Sequence, residues 1–375
     1  MTQDGDIQVH DVIVVGAGAA GVGVGVALKD AGVHDFVIVD RFGVGASFDR
    51  WPKETRFITP SFPTNSIGML DLNSIAIGVS PAFSLEVEHP NGAQYAKHLR
   101  AVAKVFELPV RSGVDVVRVT PHAEMFLLDT PTETLYCKHL IWAAGEFQYP
   151  KRNGFDGAEH CRHTATVASY RELEGDEFIV IGGYESGVDA AFHLALNGKR
   201  VRLLDTGRPW RAETSDPSVA LSTYSLIRMR DKRFKSSVEL LRDTRIVSAR
   251  KSDGDFALLT SDDRTLTTST QPLFAGGFVG GMQLVEDLFE QRSDGFPLLS
   301  EHDESTAFPG LFLCGPAVRH DDHVFCFIYK YRQRFAVVAK AIATSLGLPA
   351  EELEGYRNWG MYLDDLSCCG EECMC

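Results

Sequence analysis

The chain has 375 residues, of which 44% are hydrophobic and 23% charged, and its formal net charge is −14. This composition is typical of a globular protein with a substantial core, in two domains or one large one. The negative charge and the absence of a basic stripe argue against nucleic acid as a partner. The apolar run near the N-terminus is broken by glycine and alanine and follows acidic residues. We therefore expect a cytoplasmic protein with neither a signal peptide nor a membrane span.

A strand–turn–helix–strand pattern occurs twice along the chain. Residues 12–15 form a short β-branched run that ends at glycines, as a buried parallel strand does. A helix is predicted over residues 21–29 and a second strand over residues 36–39. The second occurrence comprises residues 178–181, 187–196 and 201–204. Two such units indicate two nucleotide sites.

The remaining segments follow the same plan. Residues 91–106 predict a helix, and residues 114–136 predict a β-meander that leads into the strand at 140–145. Residues 245–278 repeat that arrangement after the second unit. A late strand at 311–313 and a long helix at 329–346 complete the core. Residues 351–375 lack core periodicity beyond Tyr356, Trp359 and Tyr362 and are predicted to be an appendage.

The first glycine-rich turn fits the pattern G-x-G-x-x-G directly after a strand and at the start of a helix. Gly16 permits the tight turn, Gly18 lets the backbone approach a pyrophosphate, and Gly21 allows close helix–strand contact. The helix N-terminus attracts phosphate. Asp40 ends the next strand, where a carboxylate binds ribose hydroxyls. The alternative is a glycine-rich turn without a ligand.

Further segments resemble the flavoproteins with two dinucleotide-binding domains, particularly bacterial flavin-containing-monooxygenase-like proteins and, more distantly, thioredoxin reductases. Residues 43–52 are similar to the family's Gly-Gly-x-Trp segment, with Phe48 where Trp is usual. Residues 143–145 and 275–277 resemble the two crossover strands, and residues 308–315 the late strand beside the flavin. Pro316 replaces the Asp that binds a ribityl hydroxyl in the family.

The resemblance implies FAD at the first fingerprint. It also implies an α/β fold of two Rossmann-type three-layer domains, with the nicotinamide domain inserted in a discontinuous FAD domain. The expected boundaries are 1–152 and 275–350 for the FAD domain, 153–274 for the NAD(P)H domain and 351–375 for a Cys-rich tail. The expected FAD contacts are Gly16, Gly18, Gly21, Asp40, Arg41, Phe48, Trp51, Val116, Ala144, Gly145, Gly315, Pro316, Arg332 and Gln333.

The second fingerprint departs from the pattern at its middle position, where Tyr184 replaces glycine. Asp205 favours NADH through a ribose contact and repels the 2′-phosphate of NADPH. Because arginines lie nearby in the sequence, NADPH stays an alternative to NADH. A further alternative is a Rossmann-like unit that has lost its nucleotide. The expected contacts are Gly182, Gly183, Ser186, Gly187 and Asp205.

No subgroup signature settles the reaction. The paired cysteines of thioredoxin reductases are absent, since only Cys161 precedes the second fingerprint. Ala19 and Ala20 occupy the loop that carries a cysteine in relatives similar to bacillithiol disulfide reductase. His320 and His323 follow the late strand and are candidates for proton transfer at the flavin, because histidine titrates near neutral pH. The alternative is a solvated loop.

Four cysteines crowd into the last eight residues. Cys368, Cys369, Cys373 and Cys375 are candidates for an electron relay by thiol–disulfide exchange. They are equally candidates for a soft-metal site. The alternative is a disordered tail with incidental cysteines.

The sequence therefore predicts an FAD-dependent NAD(P)H oxidoreductase. One hypothesis is a monooxygenase that acts on a small soft sulfur, nitrogen or metalloid substrate. The others are a thiol–disulfide or soft-metal reductase that uses the tail, and a flavin redox sensor or binding protein. The partners considered are a small-molecule substrate, a thiol protein or soft metal at the tail, and a second copy of the chain in a homodimer.

Overall fold

A computed structural model describes residues 8–62, 70–207, 209–211 and 218–367. Its first sheet contains the parallel strands β3, β2, β1 and β6 in that order, with β5 and β4 added antiparallel beyond β6. The elements of this part are β1 (Val9–Val15), α1 (Ala19–Asp30), β2 (Phe36–Asp40), α2 (Ala46–Asp49), α3 (Pro81–Leu85), α4 (Gly92–Val105), β3 (Val110–Ser112), β4 (Arg118–His122), β5 (Met125–Asp129) and β6 (Thr134–Trp142).

The second sheet is parallel throughout, in the order β10, β9, β8, β14, β7, and β11 to β13 form a separate antiparallel sheet. Its elements are β7 (Arg162–His163), β8 (Glu177–Ile181), α5 (Glu185–Leu196), β9 (Arg200–Leu204), α6 (Thr223–Met229), α7 (Lys232–Ser237), β10 (Val238–Leu241), β11 (Ile246–Ser252), β12 (Asp255–Thr260), β13 (Thr265–Thr268) and β14 (Leu273–Phe274).

The chain then returns to the first sheet, because β15 pairs in parallel with the end of β6. The second sheet is thus inserted between two neighbouring strands of the first, which confirms the predicted α/β class. The last elements are β15 (Leu311–Leu313), β16 (Arg319–His320), β17 (His323–Val324), α8 (Ile328–Tyr331), α9 (Phe335–Ser345) and 3₁₀ helices at Arg332–Arg334 and Glu351–Trp359.

Small residues let the first helix lie close to its neighbours. In α1, ten consecutive residues from Ala19 to Leu28 are buried. A Cβ atom at Gly23 would lie 2.1 Å from the ring of Phe335, so the absence of a side chain there lets α9 pack directly on α1. The helix is therefore enclosed in the core of the first unit.

Two connections join the units, and they are hydrogen-bonded to each other. Gly281 donates its N–H to Gly145 O at 2.7 Å, Val279 to Tyr149 O at 2.9 Å, and Lys151 to Gly277 O at 3.0 Å. The chain leaves the first unit through one of these segments and returns through the other. Their pairing fixes the position of the second unit.

The C-terminal segment differs from the predicted appendage. Leu353 and Met361 are fully buried in the core of the first unit, and the Tyr356 hydroxyl donates to Asp30 at 2.6 Å. Residues 351–367 therefore close over the end of α1. The sequence did not reveal this burial because residues 351–359 form a 3₁₀ helix and the following residues are irregular. The spacing of their apolar residues therefore fits neither an α-helix nor a strand.

A buried ion cluster ties four segments of the first unit together. The guanidinium of Arg334 donates to both oxygens of Asp303, at 2.8 Å and 3.0 Å, and to the carbonyls of Glu301 and Leu363. Asp303 is fully buried, and His320 lies 2.5 Å from one of its oxygens. Every strong acceptor in the cluster has a donor, as a buried charge requires.

Replacing Asp303 with Ala should lower the free energy of unfolding by about 3–5 kcal/mol, because the Arg334 charge then stays buried without its partner. Urea denaturation followed by fluorescence measures the change. Asp294→Ala is the control, since that carboxylate belongs to an exposed ion pair with Arg292 and should matter little. Equal denaturation midpoints for the two variants would contradict this role for the cluster.

Candidate functional site

Close backbone contacts explain two of the three glycines in the first fingerprint. Gly16 has φ of +110°, and a Cβ atom there would lie 2.3 Å from Ala143 O. A Cβ atom at Gly21 would lie 1.8 Å from Gly16 O. Gly18 is different, since its φ is −81° and no atom lies within 4 Å of its Cβ position. The first and third glycines thus serve packing, and the middle one faces open space.

Asp40 shapes the glycine-rich loop through three backbone donors. It accepts hydrogen bonds from Ala17 N at 2.9 Å and from Phe42 N and Gly43 N at 2.7 Å each. A carboxylate has about four acceptor positions, so little capacity remains for a ribose. The side chain nevertheless lines the adjoining cavity. The sequence predicted only the ribose role.

A cavity of about 440 Å³ extends from this loop to the second unit. Several residues predicted to contact FAD line it together with Ser186 from the second fingerprint: Gly16, Gly18, Asp40, Phe48, Trp51, Ala144, Gly145 and Pro316. Arg41 and Val116 line a smaller adjoining cavity that also contains Gly16, Asp40 and Ala144. Together the two cavities form a continuous trench along the carboxyl ends of the first sheet, where nucleotides bind in parallel α/β folds.

Aromatic side chains form one wall of this trench. The ring of Phe48 lies 5.3 Å from that of Trp51, and Phe57 lies 5.0 Å from Trp51 and 4.5 Å from Tyr95. Phe57 lines the trench and was missed in the sequence because nothing in its local pattern marks it. Its position depends on the fold, which brings the loop after α2 against α4.

Other predicted FAD contacts lie outside the trench lining. Gly315 packs on the start of α1, with its Cβ position 3.3 Å from Ala20. Arg332 donates to the carbonyls of Asp71 and Ser74, and Gln333 donates to Tyr329 O. Burial lowers the pKa of Arg332 to about 10. Arg332 thus stabilises the loop around residues 71–74, and Gln333 bonds within its own helical segment.

The second fingerprint repeats the backbone geometry of the first. Gly182 has φ of +100°, and a Cβ atom there would lie 2.5 Å from Ala275 O. A Cβ atom at Gly187 would lie 1.7 Å from Gly182 O. Asp205 accepts from Gly183 N at 2.7 Å, as Asp40 does from Ala17. The two units are therefore built on the same loop.

Side chains pack around the glycine-rich loop of the second fingerprint, whereas the corresponding position of the first, at Gly18, is open. The Tyr184 hydroxyl donates to Ala220 O at 2.6 Å, and Glu185 accepts from Ser222 N and Ser225 Oγ, both at 2.5 Å. Trp210 donates its indole N–H to Gly183 O at 2.9 Å. The Glu185 carboxylate lies in the first turn of α5, where a nucleotide phosphate would bind.

The units also meet through a buried polar contact beside the trench. Thr55 donates to Asp189 at 2.7 Å, and Arg228 donates to the other oxygen of Asp189 at 2.7 Å. Burial alone would raise the pKa of Asp189, but hydrogen bonding to His193 and the charge of Arg228 lower it overall. Asp189 therefore stays ionised at the junction.

The candidate histidines lie away from the trench lining. His320 belongs to the buried cluster with Asp303, and His323 Nδ1 lies 3.2 Å from His320 O. Cys326 does line the trench, and its thiol donates to Ser218 Oγ at 3.3 Å. Burial raises the pKa of this thiol. Lys330 donates to the same serine oxygen at 2.8 Å.

The four tail cysteines, Cys368, Cys369, Cys373 and Cys375, lie outside the described residues. The cysteines within the described part of the chain are Cys137, Cys161, Cys314 and Cys326, all of them free thiols. Burial raises the pKa of Cys137 and of Cys161 to about 12, which disfavours a reactive thiolate at either position.

Glu146 directly follows the first crossover strand and was not predicted as a site residue. Glu146 lines the trench and also a second cavity. Desolvation by the surrounding protein raises the pKa of this carboxyl, and Arg319 opposes the rise. The sequence feature that could have identified Glu146 as a site residue is its position directly after the Ala-Ala-Gly crossover motif.

Across residues 8–62, 70–207, 209–211 and 218–367, no helix combines the length and apolarity of a membrane span. The fold itself has many relatives among solved structures. Bacillithiol disulfide reductase Bdr (YpdA) from Staphylococcus aureus matches with a TM-score of 0.72 at 18% identity, over 90% of this chain and 99% of that one. Flavin-containing monooxygenase from Stenotrophomonas maltophilia matches with a TM-score of 0.70 at 14% identity, over 91% and 100%.

Thioredoxin reductase from T. acidophilum matches with a TM-score of 0.65 at 16% identity, over 90% of this chain and 98% of that one. At such identities these similarities establish a common fold. A family model described as pyridine nucleotide-disulphide oxidoreductase matches residues 13–315. The chain therefore belongs to the pyridine nucleotide-disulphide oxidoreductase family, whose members are enzymes that depend on a flavin, FAD, and on a pyridine nucleotide.

Proposed function

We propose that this protein is an FAD-dependent NAD(P)H oxidoreductase that oxygenates a small substrate with a soft sulfur, nitrogen or metalloid centre. The observation that carries the proposal is the single cavity that runs from Gly18 in the first fingerprint to Ser186 in the second. A flavin and a nicotinamide bound at the two loops would meet in it. Hydride transfer requires such direct contact between the two rings.

The residues of the first unit fit FAD. The open position at Gly18 accommodates a pyrophosphate against the N-terminus of α1. Arg41 and Val116 line the end of the trench suited to an adenosine, and Phe48 and Trp51 line the end suited to the flavin ring. When bound, FAD supplies two-electron chemistry, and the protein supplies orientation and the exclusion of water.

Two features favour oxygenation over disulfide reduction. The trench wall of Phe48, Trp51 and Phe57 is aromatic and would help to exclude water from a flavin bound beside it. The glycine-rich loop presents Ala19 and Ala20 rather than a thiol. The similarity in fold to a flavin-containing monooxygenase also supports oxygenation.

A thiol–disulfide or soft-metal reductase is the second candidate. Cys326 is a thiol that lines the trench, as does Pro316 after the late strand. A relay from the flavin to Cys368 and Cys369 would end at a thiol protein or a soft metal. The neighbouring bacillithiol disulfide reductase performs disulfide chemistry on this fold.

A flavin redox sensor is the third candidate. The contacts of Tyr184, Glu185 and Trp210 cover the second loop, which opposes a nicotinamide nucleotide at that position. In this case the electrons that reduce the flavin would come from another donor, and the protein would signal through a partner.

Replacing Gly18 with Val should yield colourless apoprotein, because the side chain fills the pyrophosphate position. The backbone at Gly18 is extended with negative φ, so the change does not strain the fold. Flavin absorbance per chain measures the result. Gly355→Val is the control, since Gly355 also has open space but lies far along the chain in the C-terminal 3₁₀ helix. Normal flavin content in the Gly18 variant would refute the FAD assignment.

NADH should reduce the flavin faster than NADPH, because the Asp205 carboxylate repels a 2′-phosphate. Asp205→Ala should narrow the difference by about tenfold, the effect of roughly 1.4 kcal/mol. Anaerobic stopped-flow absorbance measures both rates, and Asp262→Ala, at an exposed ion pair with Arg264, serves as the control. Failure of both nucleotides at millimolar concentration would support the sensor instead.

Deleting residues 367–375 distinguishes the oxygenase from the reductase. In the oxygenase, flavin content, hydride uptake and oxygen consumption should all persist, because the proposed contacts lie in the trench. In the reductase, turnover with a disulfide or metalloid acceptor should disappear. Thiol counting before and after one equivalent of NADH gives a second reading. New thiols with a partly oxidised flavin would favour the relay.

A further inference from the structure

A second cavity lies beside the trench. It has a volume of about 210 Å³ and lies at the carboxyl ends of β6 and β15, where it is lined by Trp142 and Leu313. Phe296 also lines it. The residues that line both cavities are Ala144, Gly145, Glu146, Phe278 and Pro316. None of the fingerprint glycines lines the second cavity.

The Arg319 side chain lines this cavity. Its Nη1 donates to Pro316 O at 2.6 Å and to Val318 O at 2.7 Å. The planar group also lies 4.3 Å from the centre of the Phe296 ring. These contacts hold the guanidinium in one orientation. Its Nε and Nη2 have no hydrogen-bond partner among the residues that the structure describes.

A guanidinium held in this way is suited to one kind of group. The Nε and Nη2 donors lie side by side in a fixed fork, which matches the two oxygens of a carboxylate. Because the orientation is set by Nη1 and by Phe296, little side-chain entropy would be lost on binding. The cavity therefore has a prepared site for a carboxylate.

Glu146 places the opposite charge in the same cavity. Its carboxyl and the Arg319 guanidinium attract each other, yet they form no ion pair within the described part of the chain. Glu286 also lines the cavity, on the side of Met282. The two opposite charges thus face a common space and do not neutralise each other directly. Glu146 is exposed at the rim of this space and its carboxylate has no cationic partner there among the described residues, so a cationic group in the cavity would gain an ion pair with it.

We propose that this cavity binds a small zwitterion of the α-amino acid type. The carboxylate would pair with Arg319, the ammonium group with Glu146, and a short side chain would contact Phe296 and Met282. A simple carboxylate would leave Glu146 unpaired, and a simple amine would leave Arg319 unpaired. This inference goes beyond the proposed function, because binding to the oxidised protein requires neither a nicotinamide nor turnover.

Calorimetric titration of the full-length, FAD-loaded protein tests the proposal. The probes are glycine, L-alanine and L-methionine, with propionate as the analogue of alanine without an ammonium group and ethylamine as the analogue without a carboxylate. We expect at least one amino acid to bind about tenfold or more tightly than both analogues. Absence of binding by all three amino acids, or equal binding by propionate, would overturn the proposal.

Glu146→Gln provides the decisive variant, since it keeps the side-chain shape and removes the charge. It should weaken amino acid binding about tenfold and leave propionate binding unchanged. The control is Glu290→Gln, which removes a nearby charge at a residue that bonds Thr306 outside the cavity. Arg319→Lys should weaken both amino acids and propionate, because lysine lacks the fork. Unchanged amino acid affinity in the folded Glu146 variant would refute the site.

Discussion

The pairing of the two connecting segments is the constraint on which the rest of the molecule depends. Three backbone hydrogen bonds join residues 145–151 to residues 277–281, and the Trp142 indole adds a fourth by donating to Gly281 O at 2.6 Å. The second unit is therefore held at two points. The carboxyl ends of both sheets consequently border one cavity, which is a requirement for chemistry between two bound nucleotides.

The two fingerprints share one backbone conformation of the glycine-rich loop but differ in the side chains around it. In each, the first glycine passes close to a carbonyl of the crossover strand and an aspartate accepts from the loop. These contacts depend on close packing alone and hold with or without a ligand. The difference lies in side chains. Gly18 leaves a space at the N-terminus of α1, whereas at the N-terminus of α5 the side chains of Tyr184 and Glu185 form hydrogen bonds to residues 220–225.

Buried charges mark the junctions between segments. Asp303 and Arg334 join the loop before β15 to the C-terminal segment, and Asp189 joins the two units through Thr55 and Arg228. Each of these carboxylates has its acceptors satisfied, so each acts as a specific connection between segments distant in the chain. Glu146 and Arg319 differ, since their charges face a cavity without pairing. That contrast is the reason for regarding their cavity as a ligand site.

The sequence by itself determined the α/β class and the two strand–turn–helix units, because a β-branched run that ends at spaced glycines is a strong local signal for this unit. The oxidoreductase family followed from the resemblance of its segments to known flavoproteins. The sequence also located the tight turn at Gly16 and the close packing at Gly21. Only the tertiary structure decided what lies across from each motif. His320 follows the late strand but turns to buried Asp303, and residues 351–367 return to the core through spacing that no helix or strand period predicts. Glu146 and Arg319 are 173 residues apart in the chain, and only the pairing of β15 with β6 brings them to one cavity.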